Sequence, residues 1–254
     1  MVELKFLGTA GARFVVAKQL RYSAGTFIKT DKTNLILDPG PGTLLRLAKS
    51  KPKIDIDLID GIILSHIHLD HSTDANVIID SITKGGLIKK GFLLTAKEAV
   101  EGENSIILPF LLPFLEEIAF FRHEVPVKIR DLEITPFLHK HSAETYGFKI
   151  KINDFVISFI IDTEFFPDLI NYYSGSNVLV INVVRYKKKE DLQHLSLDDA
   201  ERLIISIKPE KAILTHFGMT MIYAKPYEIA QKLSIITKRD VIAAVDGLSL
   251  KFIC

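Results

Sequence analysis

Four side chains able to bind a metal fall within six positions, at His66, His68, Asp70 and His71, directly after the apolar run Gly61-Ile62-Ile63-Leu64. An apolar run that ends in a polar knot reads as a buried strand emptying into a loop at a sheet edge. Side chains at i and i+2 of an extended chain share a face, so His66, His68 and Asp70 can converge, and His71 joins them where the chain turns. One tetrahedral ion could hardly take all four at this spacing, whereas two adjacent divalent ions can share them. A lone histidine is ordinarily a surface or core residue. Four ligand-type side chains packed together point instead to a metal site.

Four further residues of ligand type stand at strand ends or in loops. His141 lies in His139-Lys140-His141-Ser142-Ala143-Glu144-Thr145-Tyr146-Gly147-Phe148, Asp162 follows Phe159-Ile160-Ile161, His194 precedes Leu195-Ser196, and His216 ends Ala212-Ile213-Leu214-Thr215. Each one alone reads as a solvated loop residue or a helix cap. Two ions need about six or seven protein donors plus solvent, and the combined set supplies that number from separate strand ends that a sandwich of sheets can bring to one edge. His139 competes with His141.

The elements that must carry these residues alternate along the chain. Strands are expected at Leu4 to Leu7, Gly25 to Thr30, Asn34 to Leu37, Gly61 to Leu64 and Gly91 to Thr95, with the turn signal Asp31-Lys32-Thr33 making the second and third a hairpin. Asp38-Pro39-Gly40-Pro41-Gly42 closes a strand and leads into a helix over Thr43 to Lys49; a second helix is expected over Ala75 to Ile82 and a third from Ala96. Later strands are Val127 to Ile129, Leu132 to Pro136, Gly147 to Ile152, Phe155 to Ile161, Val178 to Val184, Ala212 to Leu214, Val241 to Val245 and Leu250 to Ile253. Helices are expected near Phe166 to Tyr173, Ser196 to Ser206 and Pro226 to Leu233. Residues 104 to 122 are apolar with helical spacing and two prolines, and read as a kinked core helix, a lid over the metal site or a subunit contact. Strand-rich halves finished by helices, with no polar linker between them, argue for one α/β domain over residues 1 to 254, an αββα sandwich of two mixed β-sheets flanked by helices.

Composition narrows the partners. Lys+Arg 32 against Asp+Glu 31 leaves a formal charge of +1, so no global basic field advertises nucleic-acid binding. Lys187-Lys188-Lys189, Lys89-Lys90 and Arg21 are the local candidates for phosphate contacts, and solvated loop charge is the favoured reading of them. The one cysteine, Cys254, excludes an intramolecular disulfide and a cysteine-built zinc ribbon, and fits a reducing, cytoplasmic setting. No membrane span is expected, because the longest apolar stretch is broken by Pro109, Pro113 and Glu116-Glu117.

With these motifs in order, the sequence resembles the metallo-β-lactamase superfamily over nearly its whole length. The His-x-His-x-Asp-His motif of that family stands here as His66, His68, Asp70 and His71, and its later histidine, bridging aspartate and final histidine match His141, Asp162 and His216. The resemblance implies that one ion takes His66, His68 and His141, the other Asp70, His71 and His216, and that Asp162 bridges. Zinc is the first expectation, with manganese or iron as alternatives. Phe6-Leu7-Gly8-Thr9 with Arg21-Tyr22-Ser23, Asp38-Pro39-Gly40-Pro41-Gly42-Thr43, His194-Leu195-Ser196-Leu197-Asp198-Asp199-Ala200, Leu214-Thr215-His216-Phe217-Gly218 and Asp246-Gly247 are similar to the branch of ribonuclease Z and the phosphoribosyl cyclic phosphodiesterases. The glycine-rich arm of the former and the early cysteines of the latter are absent, so the resemblance reaches the branch and no single member.

That branch implies a phosphodiesterase acting on a small cyclic phosphodiester or a nucleic-acid end by attack of metal-bound hydroxide. Asp70 would orient the nucleophile, and His194 would protonate the leaving oxygen. The competing expectations are thioester, lactone or oxygen-dependent iron redox chemistry on the same fold, and a non-catalytic metal-binding subunit, or one whose apolar segment from Ile106 to Phe121 serves homo-oligomeric assembly.

Overall fold

Runs of Val, Ile, Leu and Phe build fourteen strands among the described residues, which in this computed structural model are 1–23 and 25–253; Cys254 lies outside them. The chain divides into two compact units. One comprises Met1–Gly8, Arg21–Phe121 and the segment from Asp246 onward, and the other comprises Thr9–Leu20 and Arg122–Val245.

The first unit holds a sheet of β1 (Val2–Phe6), β2 (Thr26–Lys29), β3 (Asn34–Leu37), β4 (Gly61–Leu64), β5 (Phe92–Thr95), β6 (Glu117–Phe120) and β14 (Ser249–Phe252), in the order β14-β1-β2-β3-β4-β5-β6. Pairs from β14 to β3 are antiparallel and pairs from β3 to β6 are parallel. The expected β2–β3 hairpin turns where Thr30 Oγ1 accepts from the amides of Lys32 and Thr33, a side-chain turn that short hydroxyl residues favour. β4 and β5 are buried at every residue, as parallel strands covered on both faces must be. Helices α2 (Thr43–Lys49) and α4 (Ala75–Ile82) return the chain between parallel strands and close a core of Leu47, Ile62, Leu64, Ile78, Ile79 and Leu93.

Two expectations need correction in this unit. The helix expected from Ala96 is only a 3-10 turn, Lys97–Ala99. Residues 104 to 122 are not a kinked helix either: Pro109–Phe114 forms a 3-10 turn with Pro113 inside it, and β6 follows as a strand parallel to β5. A proline interrupts the hydrogen-bond ladder of an α-helix, and the segment instead sends Ile107, Leu111 and Leu115 into the core.

The second unit holds β7 (Val127–Ile129), β8 (Leu132–Leu138), β9 (Tyr146–Ile152), β10 (Phe155–Ile160), β11 (Val178–Asn182), β12 (Lys211–Thr215) and β13 (Asp240–Ala243), paired in chain order. Again the first three pairs are antiparallel and the last three parallel. Helix α6 (Leu197–Ile207) buries Ala200, Leu203, Ile204 and Ile207, the i, i+3, i+4, i+7 stripe of a helix lying on a sheet. It packs in one core with residues of α5 (Asp168–Tyr172) and α8 (Pro226–Thr237). The short helices α1 (Ala12–Ala17) and α7 (Met219–Tyr223) are too brief to show a hydrophobic period, and the sequence reading passes over both. Among the described residues no helix is long and apolar enough to cross a membrane.

Candidate metal centre

In the first unit, β4 delivers Ser65 and His66 into the loop, and the chain turns at His68 into the single-turn helix α3 (Leu69–Ser72), which carries Asp70 and His71. The arrangement depends on Asp38, which follows β3 in the left-handed region at φ 53°. Its Oδ1 accepts from Ser65 N at 2.7 Å, and its Oδ2 meets Ser65 Oγ at 2.7 Å and His71 Nδ1 at 2.8 Å. A carboxylate only accepts, so His71 carries its hydrogen on Nδ1 and Ser65 Oγ spends its own on Asp38. Ser65 Oγ must then accept from His66 Nδ1, 2.9 Å away. One buried carboxylate thus sets both imidazoles to the Nδ1–H tautomer and leaves the ring lone pair of each on Nε2, the nitrogen able to ligate a cation. His66 Nε2 lies 3.0 Å from His68 Nδ1, close enough for the two to share a proton or converge on a cation. His71 Nε2 is 3.8 Å from Asp70 Oδ2.

The loop between β3 and α2 clasps this group. A Cβ at Gly40 would stand 2.0 Å from the Asp70 carbonyl oxygen, so only glycine allows that approach. Ser23 Oγ donates to the same oxygen at 3.0 Å. Asp74 receives the amides of Gly42 and Leu44, at 3.2 and 3.0 Å, and so caps the first turn of α2.

In the second unit a single buried carboxylate is again the hub. Asp162 lies just past β10, and Asn182 at the end of β11 donates to its Oδ1 at 2.9 Å. His216 Nδ1 is 3.3 Å from Oδ1, while His194 Nδ1 and His141 Nε2 are 3.8 and 4.0 Å from Oδ2. His141 Nδ1 donates to Gln193 O at 3.1 Å, which turns Nε2 toward the carboxylate. His194 sits two residues before Ser196, the N-cap of α6, where Ser196 and Asp199 form a reciprocal capping box. The ligand atoms of His141, Asp162 and His194 all fall within 4.8 Å of one another.

His139 does not face this hub. It is buried, its Nδ1 donates to the Ile161 carbonyl, and its Nε2 accepts from Tyr173 Oη at 2.7 Å. Both nitrogens are spent, and burial pushes its pKa down to about 4 against the bond to Ile161, so the ring is neutral. Gly147 makes room for the pair, since a Cβ there would lie 2.1 Å from Tyr173 Oη. The geometry sets His141, not His139, against Asp162.

Of the residues singled out from sequence, His66, His68, Asp70 and His71 gather in the first unit, and His141, Asp162, His194 and His216 in the second. Asp38 was missed as a functional residue. Its signal was an aspartate directly after an apolar strand and before Pro-Gly, which reads equally well as a turn. Of the candidate phosphate contacts, Lys187, Lys188, Lys189 and Lys89 are exposed, Lys90 is bonded to Asp57 O, and Arg21 feels Asp246 while burial lowers its pKa.

The donor chemistry suits divalent cations within each unit: His66, His71 and His141 have Nδ1 hydrogen-bonded, His141 turns Nε2 toward Asp162, and His194 and His216 turn Nδ1 toward the same carboxylate. The profile of the Beta-lactamase superfamily domain matches residues 33–217. An uncharacterized protein of Methanocaldococcus jannaschii is 32% identical, with 99% of this chain and 96% of that protein covered. Among solved structures, the metallo-β-lactamase fold protein YhfI from Bacillus subtilis is similar at TM-score 0.78 and 16% identity, over 98% of each chain. A diphosphatase from the PhnP family is similar at TM-score 0.73 and 18% identity, over 99% of this chain and 97% of that one. These likenesses show a shared fold, the one the motif resemblance implied.

Proposed function

Since this chain belongs to the metallo-β-lactamase superfamily, we propose that His66, His68, Asp70, His71, His141, Asp162 and His216 hold two divalent ions, zinc first among them, and that the protein hydrolyses a small phosphodiester. The observation that supports this reading is the tautomer control by Asp38, which puts the ring lone pairs of His66 and His71 on Nε2. A histidine kept for packing has no need of a carboxylate that fixes which nitrogen is bare. When bound, two divalent ions supply Lewis acidity and lower the pKa of a water molecule toward neutrality.

The protein's own groups do the rest. Asp70 orients the attacking water and takes up its proton. Asp162 is held by Asn182 through Oδ1, with its second oxygen facing His141 and His194. His194 gives a proton to the departing alkoxide as the general acid. The motif resemblance to the phosphodiesterase branch supports the substrate class, as does the fold shared with a PhnP-family diphosphatase.

The test combines metal analysis with hydrolysis of bis(p-nitrophenyl) phosphate, alongside thioester and lactone substrates. Two equivalents of metal and turnover of the phosphodiester are expected. His194→Ala should keep both metals and, on a phosphodiester whose leaving group is an alkoxide, lose about a hundredfold or more in kcat, the usual worth of a general acid. Full activity in that variant would end the assignment of His194, and full activity with two metals in Asp70→Ala would end the dinuclear scheme.

A further inference from the structure

The segment Asn182 to Tyr186 leaves β11 and is stitched on both sides to loops of the second unit that carry site residues. Asn182 donates to Asp162, and Val183 N donates to Thr215 O at 2.9 Å, beside His216. Arg185 forms a bridge with Ser196, its N donating to Leu195 O at 3.3 Å and its O accepting from Leu197 N at 2.9 Å, directly after His194. Arg185 therefore follows three residues after the one that bonds Asp162 and is itself bridged to the stretch that follows His194.

Its side chain has no evident use in the fold. The residue is half-buried and its Nε is fully buried without a hydrogen-bond partner. Among the described residues no carboxylate pairs with its guanidinium and no aromatic ring receives it. A buried donor left without an acceptor bears the whole cost of its desolvation, more so on a charged group, and native interiors rarely tolerate that. Guanidinium is also the group whose planar fork matches two oxygens of a phosphate, which a thioester or lactone carbonyl cannot offer.

We propose that Arg185 is a substrate-binding residue that takes the non-bridging oxygens of a phosphoryl group, making the site selective for phosphate esters over neutral esters. This rests on the hydrolase reading for its place in the reaction, while its binding test does not. Metal-loaded wild type, Arg185→Gln and Arg185→Lys are compared by calorimetric titration with inorganic phosphate. Loss of charge-assisted hydrogen bonds predicts affinity about tenfold or more weaker in Arg185→Gln. Arg185→Lys, which keeps the charge but not the fork, should fall between, with metal content unchanged in both. In turnover, Arg185→Gln should raise KM for bis(p-nitrophenyl) phosphate by a similar factor and leave KM for neutral p-nitrophenyl acetate unaltered.

Wild type that binds no phosphate, or phosphate affinity in both variants within about twofold of wild type, overturns the inference. Should Arg185→Gln fail to fold, Arg185→Lys decides alone by the same criterion. If wild type hydrolyses no phosphodiester and Arg185→Gln still loses phosphate, the proposed function fails and the binding role stands. Hydrolysis by wild type with KM unmoved in Arg185→Gln is the reverse case.

Discussion

Two buried side chains show how much chemistry is decided by single hydrogen bonds. Asp38 contacts Ser65 and His71 and through them governs His66. Asp38→Asn should keep the shape of the turn, since asparagine tolerates the left-handed backbone. It brings an amide where a carboxylate was needed, so metal affinity should fall about 10- to 100-fold, as found for such supporting groups in general. Competition with a chromophoric chelator measures that directly, and affinity equal to wild type would mean the tautomers are set by something else. His139 makes a different prediction. Above the unfolded pKa of 6.5 its ring is neutral in both states; as pH drops from there to about 4 the unfolded chain takes a proton the folded one refuses. Stability from this group is thus fully present above about pH 6.5 and falls through that window by about 3 kcal/mol. Urea midpoints followed from pH 7 to 4 should show a gentler decline in His139→Gln than in wild type. Parallel declines would show that His139 is not the group responsible.

At the scale of elements, placement of the site comes from strand ends and the caps that follow them. Ser196 begins α6 with both halves of its capping box in place, so Ser196→Ala should cost about 1 kcal/mol in chemical denaturation. Gly147→Ala inserts a methyl into the space of Tyr173 Oη and His139; overpacking of this kind costs about 1–3 kcal/mol, readable as a lowered thermal midpoint. The strands were legible in the sequence because each is an apolar run closed by turn residues, and α2 and α4 because their starts and stops are marked by glycine, proline and a clear period. Residues 104 to 122 were not, because Leu, Phe and Ile cover several helical faces and only pairing with β5 makes part of them a strand. His139 and His141 could not be separated from sequence, since the difference between them is burial against Ile161 and Tyr173. Asp38 and Arg185 were illegible for the same reason: their importance lies in partners, present or lacking, far away along the chain.

For the molecule as a whole, bound metal should be a large part of its stability. A ligand at a thousand times its dissociation constant adds about 4 kcal/mol to the folded state. Removing the metal with a strong chelator should therefore lower the thermal midpoint by about 10 °C, at about 2–4 °C per kcal/mol for a chain of this size. Returning zinc should restore it, and in His66→Ala the chelator should have a much smaller effect. A midpoint indifferent to the chelator in wild type would count against resident metal.

The two sheets share a pairing pattern but differ in how their strands are drawn from the chain. β7 to β13 pair in simple succession, whereas β1 must wait for β14, whose Phe252 lies opposite Val2. During synthesis the second sheet can zip up from neighbours as they emerge, while β1 keeps one edge bare until every other strand has been made. Contacts that distant along the chain are slow to form, and bare edges invite pairing with other chains. Removing Ser249–Phe252 would therefore leave one edge of β1 unpaired and open to pairing with other chains.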